Sequence, residues 1–255
     1  MARLQIHTGI PDVSLDVIVP EYMRCGPARG KSEQEYYAQR ELPVLWLLHG
    51  GLGIASDWPR YTMIEVFAEE KGLIVVCPTC ENGCYTNWVN GPQWVDIITE
   101  KLWDLVHNML PTSADPAKNY IAGLSMGGYG ALKLGLSRPD RYSRIGAFSG
   151  GVEIPQEYAE GGFNIAGRED MFGDPTTILG GPNDLYFWIE ERKKQGDLPP
   201  VYLSCGTLDW LYGVNVKLCD AMCDLGYDVT WDESEHNHEW RFWNAQVEKF
   251  INTLP

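Results

Sequence analysis

The sequence predicts an α/β fold, a mostly parallel sheet with helices on both faces, and three observations carry that prediction. Short continuous apolar runs recur along the chain, segments with helical spacing alternate with them, and a glycine or proline stands where most helical segments should stop. Runs that are apolar on successive residues suit strands buried on both faces, as in parallel sheets whose crossover helices cover both sides. No repeat of solenoid or propeller period interrupts the alternation.

Taken in order, strands are expected over residues 42–48, 73–77, 120–122, 145–148, 201–205 and 227–231. Helices are expected over 61–70, 94–110, 128–136, 214–225 and 240–254, the first four followed by Gly72, Pro111, Pro139 and Gly226. Residues 150–198 break the rhythm with Gly150-Gly151, Gly161-Gly162, Gly173 and Gly180-Gly181, and are expected as an irregular insertion, a loop or lid over the carboxyl edge of the sheet. At 255 residues the whole chain, 1–255, is expected to be one domain.

Hydrophobic residues make up 44% and charged residues 22%, an ordinary balance for a globular chain. A formal charge of −15 repels polyphosphate, and no dense Lys/Arg cluster reverses it locally, so nucleic acid is excluded as an expected partner. The amino terminus lacks an apolar run of signal-peptide length and no 18 apolar residues stand together, so a cytoplasmic protein without membrane contact is expected. A homo-oligomer is left open. Seven cysteines cannot all pair within one chain, which favours free thiols. Cys77, Cys80 and Cys84 with Cys219 and Cys223 make a poor zinc set, because the second pair is spaced as one helical turn.

The chemistry is concentrated in Gly123-Leu-Ser125-Met-Gly127, which follows an apolar run directly and precedes a helical segment directly. A nucleophile elbow needs glycine on both sides of the serine, since the turn is too sharp for a Cβ there, and the following helix aims its free N–H groups at a developing oxyanion. With that context the motif predicts the α/β-hydrolase fold and Ser125 as nucleophile.

A seryl hydroxyl is a weak nucleophile near neutral pH, so it needs a base in hydrogen-bond reach and a group to orient that base. In this fold the acid and the histidine follow the serine in that order. Asp209 leaves the carboxyl end of the strand expected at 201–205, whereas Asp184 and Asp197 fall in the insertion and Asp220 and Asp224 in a helical pattern. After Asp209 only His236 and His238 remain, in Glu235-His-Asn-His-Glu239, and spacing alone does not choose between them. The same His-x-His with flanking glutamates could also be read as a metal site, but the serine and its acid already account for a histidine here. The second oxyanion donor should come from the turn Leu48-His-Gly-Gly-Leu-Gly53, with the Gly51 amide paired to that of Met126 and His49 a structural part of the turn. Leu52, Trp58, Trp88 and Trp210 fall in loops expected to border the substrate, where aromatic faces could hold a sugar or an aryl ester.

Leu47-Leu-His-Gly50, Asn82-Gly-Cys-Tyr-Thr86, Ile121-Ala-Gly-Leu-Ser-Met-Gly-Gly-Tyr-Gly130, Phe148-Ser-Gly150, Cys205-Gly-x-x-Asp209 and His238-Glu-Trp240 with Trp243 together resemble the esterase D and tributyrin-esterase family of α/β-hydrolases. That family includes S-formylglutathione hydrolases and acetyl-xylan and feruloyl esterases, and the resemblance spreads over most of the chain. In it the catalytic histidine is the one followed by Asp or Glu and then Trp, which implies His238; the chain departs from the family in having His236-Asn237 just before it. The resemblance implies a serine carboxylesterase that hydrolyses small-molecule esters of short acyl chains through an acyl-enzyme, without cofactor or metal. Leu124 and Tyr129 stand where S-formylglutathione hydrolases carry histidine, which ranks the thioesterase reading second; acylated sugars stay open as substrates. From another class, a non-catalytic binding protein on the same fold is the rival, since fold does not dictate function.

Overall fold

The apolar runs become strands. A computed structural model describes residues 1–10, 12–22, 30–38, 41–163 and 166–255. Among them the strands are β1 (Ala2–His7), β2 (Ser14–Val19), β3 (Val44–Leu48), β4 (Ile74–Pro78), β5 (Asn119–Leu124), β6 (Arg144–Phe148), β7 (Val201–Gly206) and β8 (Val229–Ser234), joined in one sheet of order β1-β2-β4-β3-β5-β6-β7-β8. From β4 to β8 every pairing is parallel, and β1 and β2 add an antiparallel edge. The mostly parallel sheet expected from the sequence is borne out.

Alternation along β3 shows why such strands read as unbroken apolar runs. Val44, Trp46 and Leu48 pack on one face with Ile97, Trp103 and Leu132, while Leu45 and Leu47 pack on the other with Phe67, Phe242 and Phe250. The helices Ile64–Lys71 and Trp240–Thr253 cover the second face. The first is covered by Met126–Ser137, Leu185–Gln195, Tyr212–Asp224 and a long helical stretch from Trp94 to Met109, whose middle, Ile97–Leu102, widens to a π-helical turn.

The amino-terminal pair β1 and β2 was not expected. β2 lies inside the fold but carries Asp16, which breaks its apolar run; the carboxylate is buried and accepts both Nε and Nη2 of Arg3 at 2.7 Å each. A bidentate pair of this kind offsets the desolvation that an isolated carboxylate would suffer. Residues 150–198, expected to be irregular, hold the helices Ile154–Ala159, Arg168–Phe172 and Leu185–Gln195, the last capped by Asp184 accepting from the Tyr186 amide at 3.0 Å. Cys77, Cys80, Cys84, Cys205, Cys219 and Cys223 are unpaired, and Cys25 lies outside the described residues. Among the described residues no helix is long and apolar enough to cross a membrane.

One buried charge has no carboxylate partner among the described residues. Lys133, on the helix Met126–Ser137, donates to Thr86 Oγ1 and, at 3.1 Å, to Asn183 Oδ1, with its Nζ 5.1 Å from the Tyr129 ring centre. Tyr129 in turn donates to the Asn183 carbonyl at 2.6 Å, so this knot ties the helix behind Ser125 to both the Cys84–Thr86 turn and the 150–198 segment. Burial lowers the Lys133 pKa to about 7. In the unfolded chain a lysine titrates near 10.4, so between these values the unfolded state holds a proton that the folded state has lost, and stability must rise with pH. The free energy of unfolding, followed by urea titration from pH 7 to 9.5, should climb relative to Lys133→Met by about 1.4 kcal/mol per pH unit. Parallel curves for the two proteins would remove Lys133 as the cause.

Candidate active site

Each of the expected site residues sits just past the carboxyl end of a parallel strand: Gly51 after β3, Ser125 after β5, Asp209 after β7 and His238 after β8. That edge is where open α/β sheets leave a crevice. The turn carrying Ser125 is as sharp as the sequence implied. A Cβ on Gly123 would overlap the Gly127 carbonyl, and one on Gly127 would overlap the carbonyls of Leu48 and His49. Ser125 itself is held at φ 53° and ψ −120°, a region that side-chain-bearing residues avoid. It stays there because its amide donates to the Phe148 carbonyl at 2.9 Å and its own carbonyl accepts the amides of Gly128, Tyr129 and Gly151 at 2.9–3.2 Å.

His238 lies between the other two groups. Its Nδ1 is 2.7 Å from Asp209 Oδ2 and its Nε2 is 3.0 Å from Ser125 Oγ. With Asp209 as a carboxylate, Nδ1 carries the proton and Nε2 presents a lone pair to the seryl hydroxyl. Burial alone would raise the Asp209 pKa, but hydrogen bonds from His238 and from the Leu211 amide, the latter at 2.9 Å, outweigh it and hold the group below its usual range. The imidazole is gripped by rings: Trp210 lies 4.2 Å away and Trp243 4.8 Å away edge-on. Trp243 also donates to Ser149 Oγ at 3.2 Å, and that hydroxyl serves Asp209 in turn.

His236 points elsewhere. Its Nδ1 lies 3.2 Å from Ser234 Oγ and its ring rests against Phe242, while its carbonyl accepts the Leu208 amide at 3.1 Å. His49 is buried, donates from Nδ1 to the Gly50 carbonyl at 2.7 Å and accepts the Cys80 amide on Nε2 at 2.9 Å. Burial lowers its pKa and holds it neutral, as a brace for the glycine turn. Tyr85 adds to that brace by donating to the His49 carbonyl at 2.9 Å. No group of three or more His, Cys, Asp or Glu able to hold a metal occurs among the described residues, His236 and His238 included.

Two cavities meet at Ser125. One, of about 210 Å³, reaches past Gly51 and Met126 to Cys84, Ile154, Phe163 and Leu211. The other, of about 340 Å³, runs from Gly51 past His238 to Leu52, Trp240 and Trp243. The amides of Gly51 and Met126 have no protein acceptor among the described residues, so both are open to a ligand oxygen beside Ser125. Of the four residues expected to border substrate, Leu52, 90% exposed, and Trp210, 75% exposed, do line these cavities. Trp58 does not. It is 0% exposed, with its indole donating to the Leu48 carbonyl at 2.9 Å, and so is a core residue. Trp88 is also turned away, its indole donating to the Gly83 carbonyl at 3.2 Å outside both cavities.

A family profile described as "Putative esterase" matches residues 34–249. The chain belongs to this esterase family. It is a serine esterase, a carboxylic ester hydrolase on the α/β-hydrolase fold. An acetyl esterase of Caldicellulosiruptor saccharolyticus is 29% identical over 227 residues, covering 85% of each chain. Among solved structures, the fluorophosphonate-binding serine hydrolase F (FphF) of Staphylococcus aureus superposes with a TM-score of 0.86 at 26% identity, covering 99% of this esterase and 98% of that chain. An S-formylglutathione hydrolase (FrmB) of the same organism gives a TM-score of 0.83, with the same identity and coverage.

The esterase places residues at the site that sequence reasoning did not single out for substrate contact. Trp240 and Trp243 had been noted only as part of the family resemblance around His238, and both line the second cavity with Tyr61. Ile154 and Phe163 come from the 150–198 segment, where nothing in the local sequence marks them as facing Ser125.

Proposed function

We propose that Ser125 is the nucleophile, His238 the base and then the acid, and Asp209 the carboxylate that orients His238. The observation that carries this reading is the unbroken relay of 2.7 Å from Asp209 to His238 and 3.0 Å from His238 to Ser125. Ser125 Oγ attacks the ester carbonyl while Nε2 takes its proton, and the amides of Gly51 and Met126 receive the developing oxyanion. His238 then hands the proton to the departing alkoxide, leaving an acyl group on Ser125. Water, deprotonated by the same imidazole, attacks that acyl group and releases the acid, and the proton returns to Ser125.

The acyl half is short. His238 must protonate the leaving oxygen, so the alcohol departs on the side of His238 and the acyl group occupies the other cavity, beside Met126. At about 210 Å³ that cavity is below the roughly 300–1,000 Å³ that accommodates drug-sized ligands. Its walls are Cys84, Met126, Ile154, Phe163 and Leu211, apolar enough to bind a small alkyl chain, but Glu157 stands at the border. A longer chain would therefore have to lie against a polar carboxyl group, which an alkyl chain cannot hydrogen-bond. Acetyl esters are the first choice, consistent with the acetyl esterase relative.

Each methylene that is buried adds about 0.8 kcal/mol of binding while space remains. For 4-nitrophenyl esters, kcat/KM should therefore stay level or rise from acetate to butyrate and fall at least tenfold by octanoate. An optimum at ten or more carbons would refute the short-acyl assignment. S-formylglutathione, run in parallel, tests the thioester alternative, which Leu124 and Tyr129 rank second.

A further inference from the structure

The cavity on the leaving-group side does not end at Trp243. Tyr61 and Trp240 also wall a neighbouring open depression of about 470 Å³ that Arg60 and Arg241 line as well. From His238 the path is paved with rings at steps of 4.8 Å to Trp243, 5.2 Å to Trp240 and 4.9 Å to Tyr61. Arg60 follows, its guanidinium carbon 5.5 Å from the Tyr61 ring centre.

The two arginines are unusual for this chain. It carries 35 acidic against 20 basic residues, and Arg3, Arg138, Arg141, Arg168 and Arg192 each have a carboxylate partner. Among the described residues Arg60 and Arg241 have none, a state shared only by Arg144, which lies at the amino end of β6, away from the site. Asp57, the carboxylate that lines the near part of the groove, accepts the Ile54 amide at 3.0 Å. Charge is thus divided across Ser125, with Glu157 on the acyl side and two guanidiniums without carboxylate partners lining the depression on the other side.

We propose that this aromatic groove ending in Arg60 and Arg241 holds the alcohol half of the substrate and selects an acidic saccharide, its rings lying on Trp240 and Tyr61 and its carboxylate meeting the guanidiniums. The C–H face of a sugar ring complements the negative face of an indole or phenol, and a guanidinium forks onto a carboxylate with two parallel hydrogen bonds. A nitrophenyl group is too short to reach past the tryptophans. The proposal rests on the assignment of His238 as the acid that protonates the leaving oxygen.

The test compares two acetylated oligogalacturonides of equal length, one with free carboxylates and one with those carboxylates converted to primary amides, with 4-nitrophenyl acetate as reference. At low ionic strength kcat/KM should favour the acid form by about tenfold, the scale of one hydrogen bond to a charged group, and the preference should shrink as salt is added. In Arg60→Gln/Arg241→Gln the acid-to-amide ratio should fall toward unity, and Arg60→Lys/Arg241→Lys should restore part of it. A ratio is insensitive to loss of folded enzyme in the variants. Equal rates on acid and amide, or turnover of 4-nitrophenyl acetate with no turnover of either saccharide, would overturn the groove proposal. Failure on 4-nitrophenyl acetate itself would overturn the assignment of the three catalytic residues instead. S-formylglutathione outpacing both saccharides, with the same dependence on Arg60 and Arg241, would reassign the groove to an anionic peptide thiol and overturn the saccharide.

Discussion

Ser125→Ala is expected to lower kcat on 4-nitrophenyl acetate by a factor on the order of 10⁴–10⁶, because the members of a serine triad act as a unit and the oxyanion donors alone supply only a residue of the catalysis. The loss should fall on kcat, with substrate binding itself preserved, since the walls of both cavities are untouched. Purified variant and parent, compared at equal concentration and with matched circular dichroism, are enough to decide it. Retention of a tenth of the parent rate would exclude Ser125 as nucleophile.

His238→Ala should be as damaging as Ser125→Ala, because no other imidazole comes within reach of Ser125 Oγ once Nε2, at 3.0 Å, is gone. His236→Ala is the contrast, expected to cost less than about tenfold. The His236 side chain touches Ser234 and Phe242, and the contact it makes to the loop before Asp209 is through its carbonyl, which alanine keeps. Exogenous imidazole should restore part of the rate to His238→Ala and none to His236→Ala. If the ranking were reversed, the base would be His236 and the Nε2 contact incidental.

Much of this was legible in the sequence, for identifiable reasons. Strands β3 to β7 are buried on both faces, so their positions are unbroken apolar runs, and the turn around Ser125 is so tight that only glycine satisfies it on either side. Spacing left His236 and His238 undecided because both fall in one loop, where sequence separation does not fix which side chain faces Ser125. The family resemblance implied His238, and its ring is the one that lies between Asp209 and Ser125. Trp58 and Trp88 were misjudged because a tryptophan near the site can face solvent or turn its indole inward to a hydrogen bond, as both of these do, and Trp58 stands in the helix Asp57–Tyr61, not in a loop. The walls of the cavities were the least legible part. Ile154, Phe163, Tyr61 and Trp240 meet at Ser125 only through tertiary packing, and no local pattern records that.

At φ 53° Ser125 occupies a conformation that glycine, with no Cβ, would adopt more comfortably, so glycine there would relieve the turn at the carboxyl end of β5. With Ser125 as the proposed nucleophile, the fold therefore carries a standing conflict between durability and reactivity: the substitution expected to relax the turn most directly is also one expected to abolish turnover. A library screened for heat resistance alone would drift toward sturdier, inert descendants, and any engineering of this esterase has to hold position 125 fixed while gaining robustness elsewhere.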